Sequence, residues 1–176
     1  MSGHNKWSKI KHKKAATDAK KSKIFSIHSR LITLASKEAG GDINSPSLKA
    51  TIERAKADSM PKDNIERAVK KGAGGDAGNL ESVMFEAYGP GGVAIIITGI
   101  TNNTNRTSQE IKHILSKNGG NLGSPGSALW AFNKTNEGYV PQNEVPLSGD
   151  DENKFEWLYN ELDDQDDVEQ VYSTAA

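Results

Sequence analysis

The first thirty residues, MSGHNKWSKIKHKKAATDAKKSKIFSIHSR, hold nine Lys/Arg against one acid, Asp18, and so carry a net +8. The cations are Lys6, Lys9, Lys11, Lys13, Lys14, Lys20, Lys21, Lys23 and Arg30, with Trp7 and His12 among them. Cations at this density favour a polyanion, because every phosphate they neutralise releases condensed counterions. Trp7 adds a flat ring on which an unstacked base could rest. A run of like charge is ordinarily a solvated surface. An uncompensated run, however, repels itself until a partner neutralises it. These eleven side chains are the candidate nucleic-acid-binding set.

Other chemistry is thinner. In TNNTNRT (101–107), Asn103, Asn105 and Arg106 stand at a strand end before a helix N-terminus, where free amides attract anions. That makes them a candidate secondary anion site, with plain helix capping as the competing reading. GGNLGSPG (119–126) is glycine-rich, but a helix precedes it and a strand follows, the reverse of a phosphate loop, so it reads as a tight connection. His4, His12, His28 and His113 lack further ligands at metal spacing, and His28 reads as a helix-seam residue. The carboxylates of Asp163, Asp164, Asp166 and Asp167 read as a solvated acidic turn. The chain has no cysteine, which excludes thiol catalysis, disulfides and cysteine-based zinc sites. No catalytic constellation, metal or cofactor is expected.

The overall charge of −1 averages two unlike halves. Residues 1–72 hold 17 Lys/Arg and 7 Asp/Glu, a net +10, and residues 73–176 hold 5 and 16, a net −11. The break suggests two modules, a basic three-helix domain over 1–72 and an α+β domain over 80–176, joined by a glycine-rich linker at 73–79. The longest apolar run, Val93–Ile97, is too short to cross a bilayer, and no apolar stretch follows the basic start as a signal peptide requires. A cytoplasmic protein without membrane contact is expected.

The elements that would position these residues follow from periodicity. Ile24, Ile27, Leu31 and Leu34 fall at helical spacing, stopped by Gly40-Gly41. Ser45-Pro46 starts a second helix, Met60-Pro61 breaks it, and Asp63 with Glu66 has capping-box spacing for a third. Ser82–Tyr88 and VAIIITG read as strands, Thr107 and Glu110 as the cap of a helix, Ala128–Phe132 as a strand, and Tyr139-Val140 as a short extended piece. An acidic helix starting at Ser148 and Asp151 carries Phe155, Leu158, Tyr159 and Leu162 inward, and Val168–Tyr172 is the closing strand. That strand should pair with Val93–Ile97, because the helix needs a sheet face to cover. The fold class is α+β, a basic three-helix module followed by an α/β domain with a mainly antiparallel sheet and helices on one face. No helix combines Arg, Asn and Gln in an obvious base-reading set.

The segments 3–25, MPKDNIERAVKKGAGG (60–75), YGPGGVAIII (88–97), 101–132 and DDQDDVEQVY (163–172) together resemble the YebC family. That family comprises bacterial proteins named as probable transcriptional regulators and mitochondrial relatives described as translational activators. The resemblance implies a three-helix amino-terminal domain followed by α/β domains, DNA binding for some members and ribosome-linked action for others. It also implies that the basic arm is the nucleic-acid surface. One departure stands out. Family members carry a further ferredoxin-like domain after the Trp-x-Phe strand, and here GYVPQNEVPLSGDDENKFEWLYNELDD follows Trp130-Ala131-Phe132 within a few residues, so that domain is expected to be absent near 134–140. The expected function is that of a non-enzymatic, monomeric regulator of gene expression bound to duplex DNA. The alternative is a ribosome-associated translation factor gripping ribosomal RNA with the same arm.

Overall fold

In a computed structural model of the chain, the described residues run from Asp18 to Ala176. They fall into two compact units. Among the described residues, one holds 18–81 together with Ile100–Asn103, and the other holds Ser82–Gly99 and Thr104–Ala176.

The first unit is built from three helices, α1 (Asp18–Glu38), α2 (Pro46–Ala57) and α3 (Lys62–Ala73). Their core is Ile32, Ala35, Leu48, Ala55, Met60, Ile65 and Ala68. Helix α1 ends at Gly40 and Gly41, both at positive φ, with the Gly41 N–H donating to the Ser36 carbonyl. Pro46 occupies the first turn of α2. Helix α3 starts behind Pro61 with no side-chain cap bond, so the Asp63/Glu66 capping box does not form. The turn geometry set by Pro61 supplies the start instead: its carbonyl accepts the Asn64 and Ile65 N–H groups.

Gly72 lies inside α3 and is buried. A Cβ there would sit 2.2 Å from the Thr33 carbonyl oxygen and 2.7 Å from Ser36 Cβ. Only a residue without a side chain lets α3 lie this close to α1. Hydroxyls close the same seam. Ser36 Oγ donates to the Val69 carbonyl at 2.6 Å, and Thr33 Oγ1 donates to the Ser29 carbonyl at 2.7 Å and lies 3.4 Å from that of Ala68.

The second unit is a four-stranded sheet in the order β3-β1-β2-β6, from β1 (Glu81–Tyr88), β2 (Ala94–Thr101), β3 (Asn121–Leu122) and β6 (Val168–Ser173). Strand β6 pairs antiparallel with β2 through Ile95–Ser173, Ile96–Tyr172 and Ile97–Val171, as expected for the closing strand. The register shifts between Thr98 and Gly99. A Cβ at Gly99 would stand 2.3 Å from the Asp167 carbonyl oxygen, so glycine is what lets the two strands approach there.

Helices α4 (Thr104–Lys117) and α5 (Asp150–Asp164) cover one face of the sheet, and Val93, Ile95 and Ile97 meet Ile111, Leu115, Phe155, Leu158 and Leu162 there. On the other face Ala94 and Ile96 meet Ala128, Ala131 and Phe132. Strand β2 is therefore buried on both sides, which is why its sequence is a continuous apolar run without alternation. A hairpin of β4 (Phe132–Thr135) and β5 (Gly138–Pro141) lies on that second face, with the Tyr139 ring edge-on to Tyr172 at 5.3 Å.

Three boundaries differ from expectation, the first being that of the acidic helix, which starts at Asp150 behind Gly149 with no side-chain cap bond rather than at Ser148. Residues Leu129–Ala131 form a 3-10 turn, and the strand begins only at Phe132. The N–H groups of Ala128 and Leu129 bond a side chain and cannot serve a strand ladder. Helix α4 starts at Thr104, one turn before Thr107, because Thr107 Oγ1 is used elsewhere, donating to Asp167 at 2.8 Å.

Candidate nucleic-acid interface

Lys6, Trp7, Lys9, Lys11, His12, Lys13 and Lys14 lie outside the described residues. Lys20, Lys21, Lys23 and Arg30 stand on α1. Lys21 is exposed, and Lys20 and Lys23 are half-buried. Arg30 Nη1 donates to the Ile100 carbonyl at 2.7 Å, so part of its fork is engaged within the chain. On the same helix His28 Nε2 lies 2.6 Å from Asp58 Oδ2, just past the end of α2, which places it in a helix seam.

Helix α3 adds a second set of cations. Its buried stripe is Ile65, Ala68 and Gly72, at i, i+3 and i+7. Asn64, Arg67 and Lys71 follow the same spacing on the flank of that stripe, and Lys70 lies on the far side. Arg67 Nη2 donates to Asn64 Oδ1 at 2.7 Å, which aligns an arginine fork with an amide. Lys62 pairs with Glu66 at 3.7 Å, whereas the side chains of Lys70 and Lys71 make no bond to another described residue. At the sequence level these two lysines only complement the negative end of a helix. The spacing from Asn64 to Lys71 was the signal that they share a face with Arg67.

The sheet unit handles charge in the opposite way. Glu86 on β1 is buried, and its carboxylate accepts the N–H groups of Gly126 (2.5 Å), Ala128 (3.0 Å) and Leu129 (2.6 Å). Burial pushes its carboxyl up, but these three donors outweigh it and hold the group below its ordinary value of 4.5. The glycine-rich loop that ends at Gly126 is thus the edge of an amide cradle, and the anion in it belongs to the protein itself. Asp167 is likewise buried, with Arg106 Nη2 at 3.0 Å and Thr107 Oγ1 at 2.8 Å on its Oδ2. The Asp166-Asp167 end of the acidic run is therefore part solvated turn and part ion pair. Arg106, in the expected anion site, carries this internal pair. The Asn103 N–H bonds Thr101 Oγ1 at 3.0 Å, and Asn105 is exposed. Among the described residues no group of three or more His, Asp or Glu is placed to hold a metal ion, and no helix is long and apolar enough to cross a membrane.

Two family models match successive parts of the chain. Residues 5–75 match the TACO1/YebC protein N-terminal domain, and residues 80–137 match the TACO1/YebC second and third domain. A "probable transcriptional regulatory protein" of Petrotoga mobilis is 52% identical over 147 residues, covering 82% of this chain and 59% of the relative. The chain thus spans under two thirds of the length of such relatives. A protein of the same name from Thermotoga maritima is 37% identical over 235 aligned positions, covering 98% of this chain and 93% of the relative. With 176 residues available here, at least 59 of those positions have no counterpart in this chain. The crystal structure of a conserved hypothetical protein from Aquifex aeolicus superposes with a TM-score of 0.86 at 30% identity, over 98% of this chain and 97% of that one. On these matches across nearly its whole length, the chain belongs to the TACO1/YebC family.

Proposed function

We propose that this protein is a non-enzymatic, cytoplasmic regulator of gene expression that binds duplex DNA through the phosphate backbone. The observation that carries the reading is the division of labour in the helical unit. Its buried face is apolar or small, and no Lys or Arg is among its buried residues, although Lys20 Nζ and Arg30 Nε are themselves shielded from solvent. Arg67, Lys70 and Lys71 extend the cationic set of the first thirty residues, within a segment, 1–72, of net charge +10. The name shared by the Petrotoga and Thermotoga relatives supports regulation of transcription as the context.

Contacts of this kind position a protein on nucleic acid without reading its sequence. Binding should therefore weaken steeply with salt and respond little to the sequence of the duplex. The triple variant Arg67→Glu, Lys70→Glu, Lys71→Glu should flatten the slope of log affinity against log salt by about 3, since each lost phosphate contact removes roughly 0.9. Titrations of labelled duplexes at several salt concentrations measure this. An unchanged slope in a folded variant would remove α3 from the interface. Tighter binding to ribosomal RNA than to duplex at equal salt would move the partner to RNA.

A further inference from the structure

The indole of Trp130 is 66% exposed, yet its N–H is fully engaged. Nε1 lies 2.9 Å from the Ser127 carbonyl and 3.0 Å from the Tyr88 hydroxyl, and that hydroxyl donates to the same Ser127 carbonyl at 2.5 Å. The turn beneath the ring is equally fixed. Ala131 is buried, and the Ala128 and Leu129 N–H groups are held by Glu86. The chain therefore holds one large aromatic plane rigidly in water. We propose that Trp130 is a stacking platform for an unpaired nucleobase, in single-stranded DNA or in RNA. This rests on the reading of the chain as a nucleic-acid binder, though not on which polymer it binds.

Three features favour a base over a protein surface. With its N–H already bonded, the ring offers only its face, which suits sequence-tolerant stacking. A ring fixed in advance loses little freedom when a partner settles on it. No other large hydrophobic side chain of the turn or of the hairpin after it is exposed, although Met84 of β1 is 44% exposed with its sulfur 3.4 Å from the Tyr139 hydroxyl of that hairpin; protein-binding patches are larger contiguous surfaces.

Trp157 supplies a contrast within the same unit. It is 67% exposed, but it lies on α5, whose first turn carries Asp150, Asp151 and Glu152 and whose later turns carry Glu156 and Glu161. That charge repels a phosphate chain. The turn and hairpin around Trp130, residues 129–141, carry only Lys134 and Glu137, a net charge of zero.

The test measures binding of the full chain to labelled oligo(dT), to oligo(U) and to a duplex of matched length. Trp130→Ala should weaken single-strand binding by roughly 5- to 150-fold, the range of one base–aromatic stack. Duplex binding should hold within about twofold, because paired bases are already stacked. Trp130→Phe should recover most of the loss, since the π face returns without the N–H. Trp130→Leu, apolar but not aromatic, should behave like the alanine variant, and Trp157→Ala should match the parent on every polymer. A loss confined to oligo(dT) assigns DNA as the source of the base, one confined to oligo(U) assigns RNA, and a loss on both assigns the base alone. If Trp130→Ala binds single strands like the parent, or loses equally on duplex, the platform is refuted while salt-dependent duplex binding by the parent keeps the wider reading. Failure of the parent to bind any of the three polymers would sink both.

Discussion

The helical unit and the sheet unit bury polar groups by different means. In the helices the buried polar side chains are the hydroxyls Thr33, Ser36 and Thr51, which donate to carbonyls of their own or a neighbouring helix. In the sheet unit two carboxylates are buried, Glu86 and Asp167, each surrounded by donors. A neutral seam leaves no Lys or Arg among the buried residues, and Lys21, Arg67, Lys70 and Lys71 stay exposed where a polyanion can reach them. The acidic unit instead spends two of its negative charges inside, pinning loops that carry an exposed indole and a helix start. Formal charge thus overstates the surface acidity of the second half, while in the first half no Lys or Arg among the described residues is buried as a whole, Lys20 Nζ and Arg30 Nε being shielded atoms of part-exposed side chains.

If the units differ in this way, each should fail through its own device. The largest effect belongs to removal of the chain after Ser148. It takes away Phe155, Leu158, Leu162, Val168 and Val171 from the sheet core, side chains worth about 1.5–3 kcal/mol each when buried. Their sum exceeds much of a typical domain's stability of about 5–15 kcal/mol. The sheet unit should lose its cooperative transition while helicity from α1 to α3 persists. A truncated protein that melts like the parent would break the comparison.

Next comes Gly72→Val, which drives a side chain into the Thr33 carbonyl and should destabilise the helical unit by about 3 kcal/mol. Chemical denaturation followed by circular dichroism would report it. A loss under about 1 kcal/mol would mean that the seam opens at little cost.

Glu86→Gln keeps the shape but removes the charge, and should cost about 1–2 kcal/mol at neutral pH. Because the folded carboxyl sits below 4.5, its contribution is present above the unfolded value and is lost as pH falls through the lower folded one. Parent and variant should therefore converge as pH falls below the lowered folded value, and a gap that persists at the acid end would show that the carboxylate charge is not what holds the loop. The smallest effect is expected from Asp58→Ala, since the exposed carboxylate bonded to His28 should contribute less than about 1 kcal/mol. A larger loss would give the helical unit a polar device like those of the sheet.

The chain by itself determined much of the architecture, because local chemistry decides those parts. Helical spacing and Pro46, Pro61 and Gly40-Gly41 placed the three helices, and the unbroken run from Val93 to Ile97 marked a strand. The inward face of α5, Phe155, Leu158, Tyr159 and Leu162, was legible at i, i+3, i+4 and i+7, and its need for cover implied the β2–β6 pairing. What only the tertiary structure decided were contacts between residues distant in sequence. Glu86 looked like one polar position in an alternating strand, yet forty residues on, the N–H groups it binds turn an expected strand at Ala128–Phe132 into a 3-10 turn. Gly72, next to the expected glycine-rich linker, is a point of closest packing. Trp130 was one residue of a Trp-x-Phe motif until Tyr88 and Ser127 fixed its ring in solvent. Periodicity reports which way a side chain faces along its own element; it carries no information about which distant donor, acceptor or backbone that face will meet.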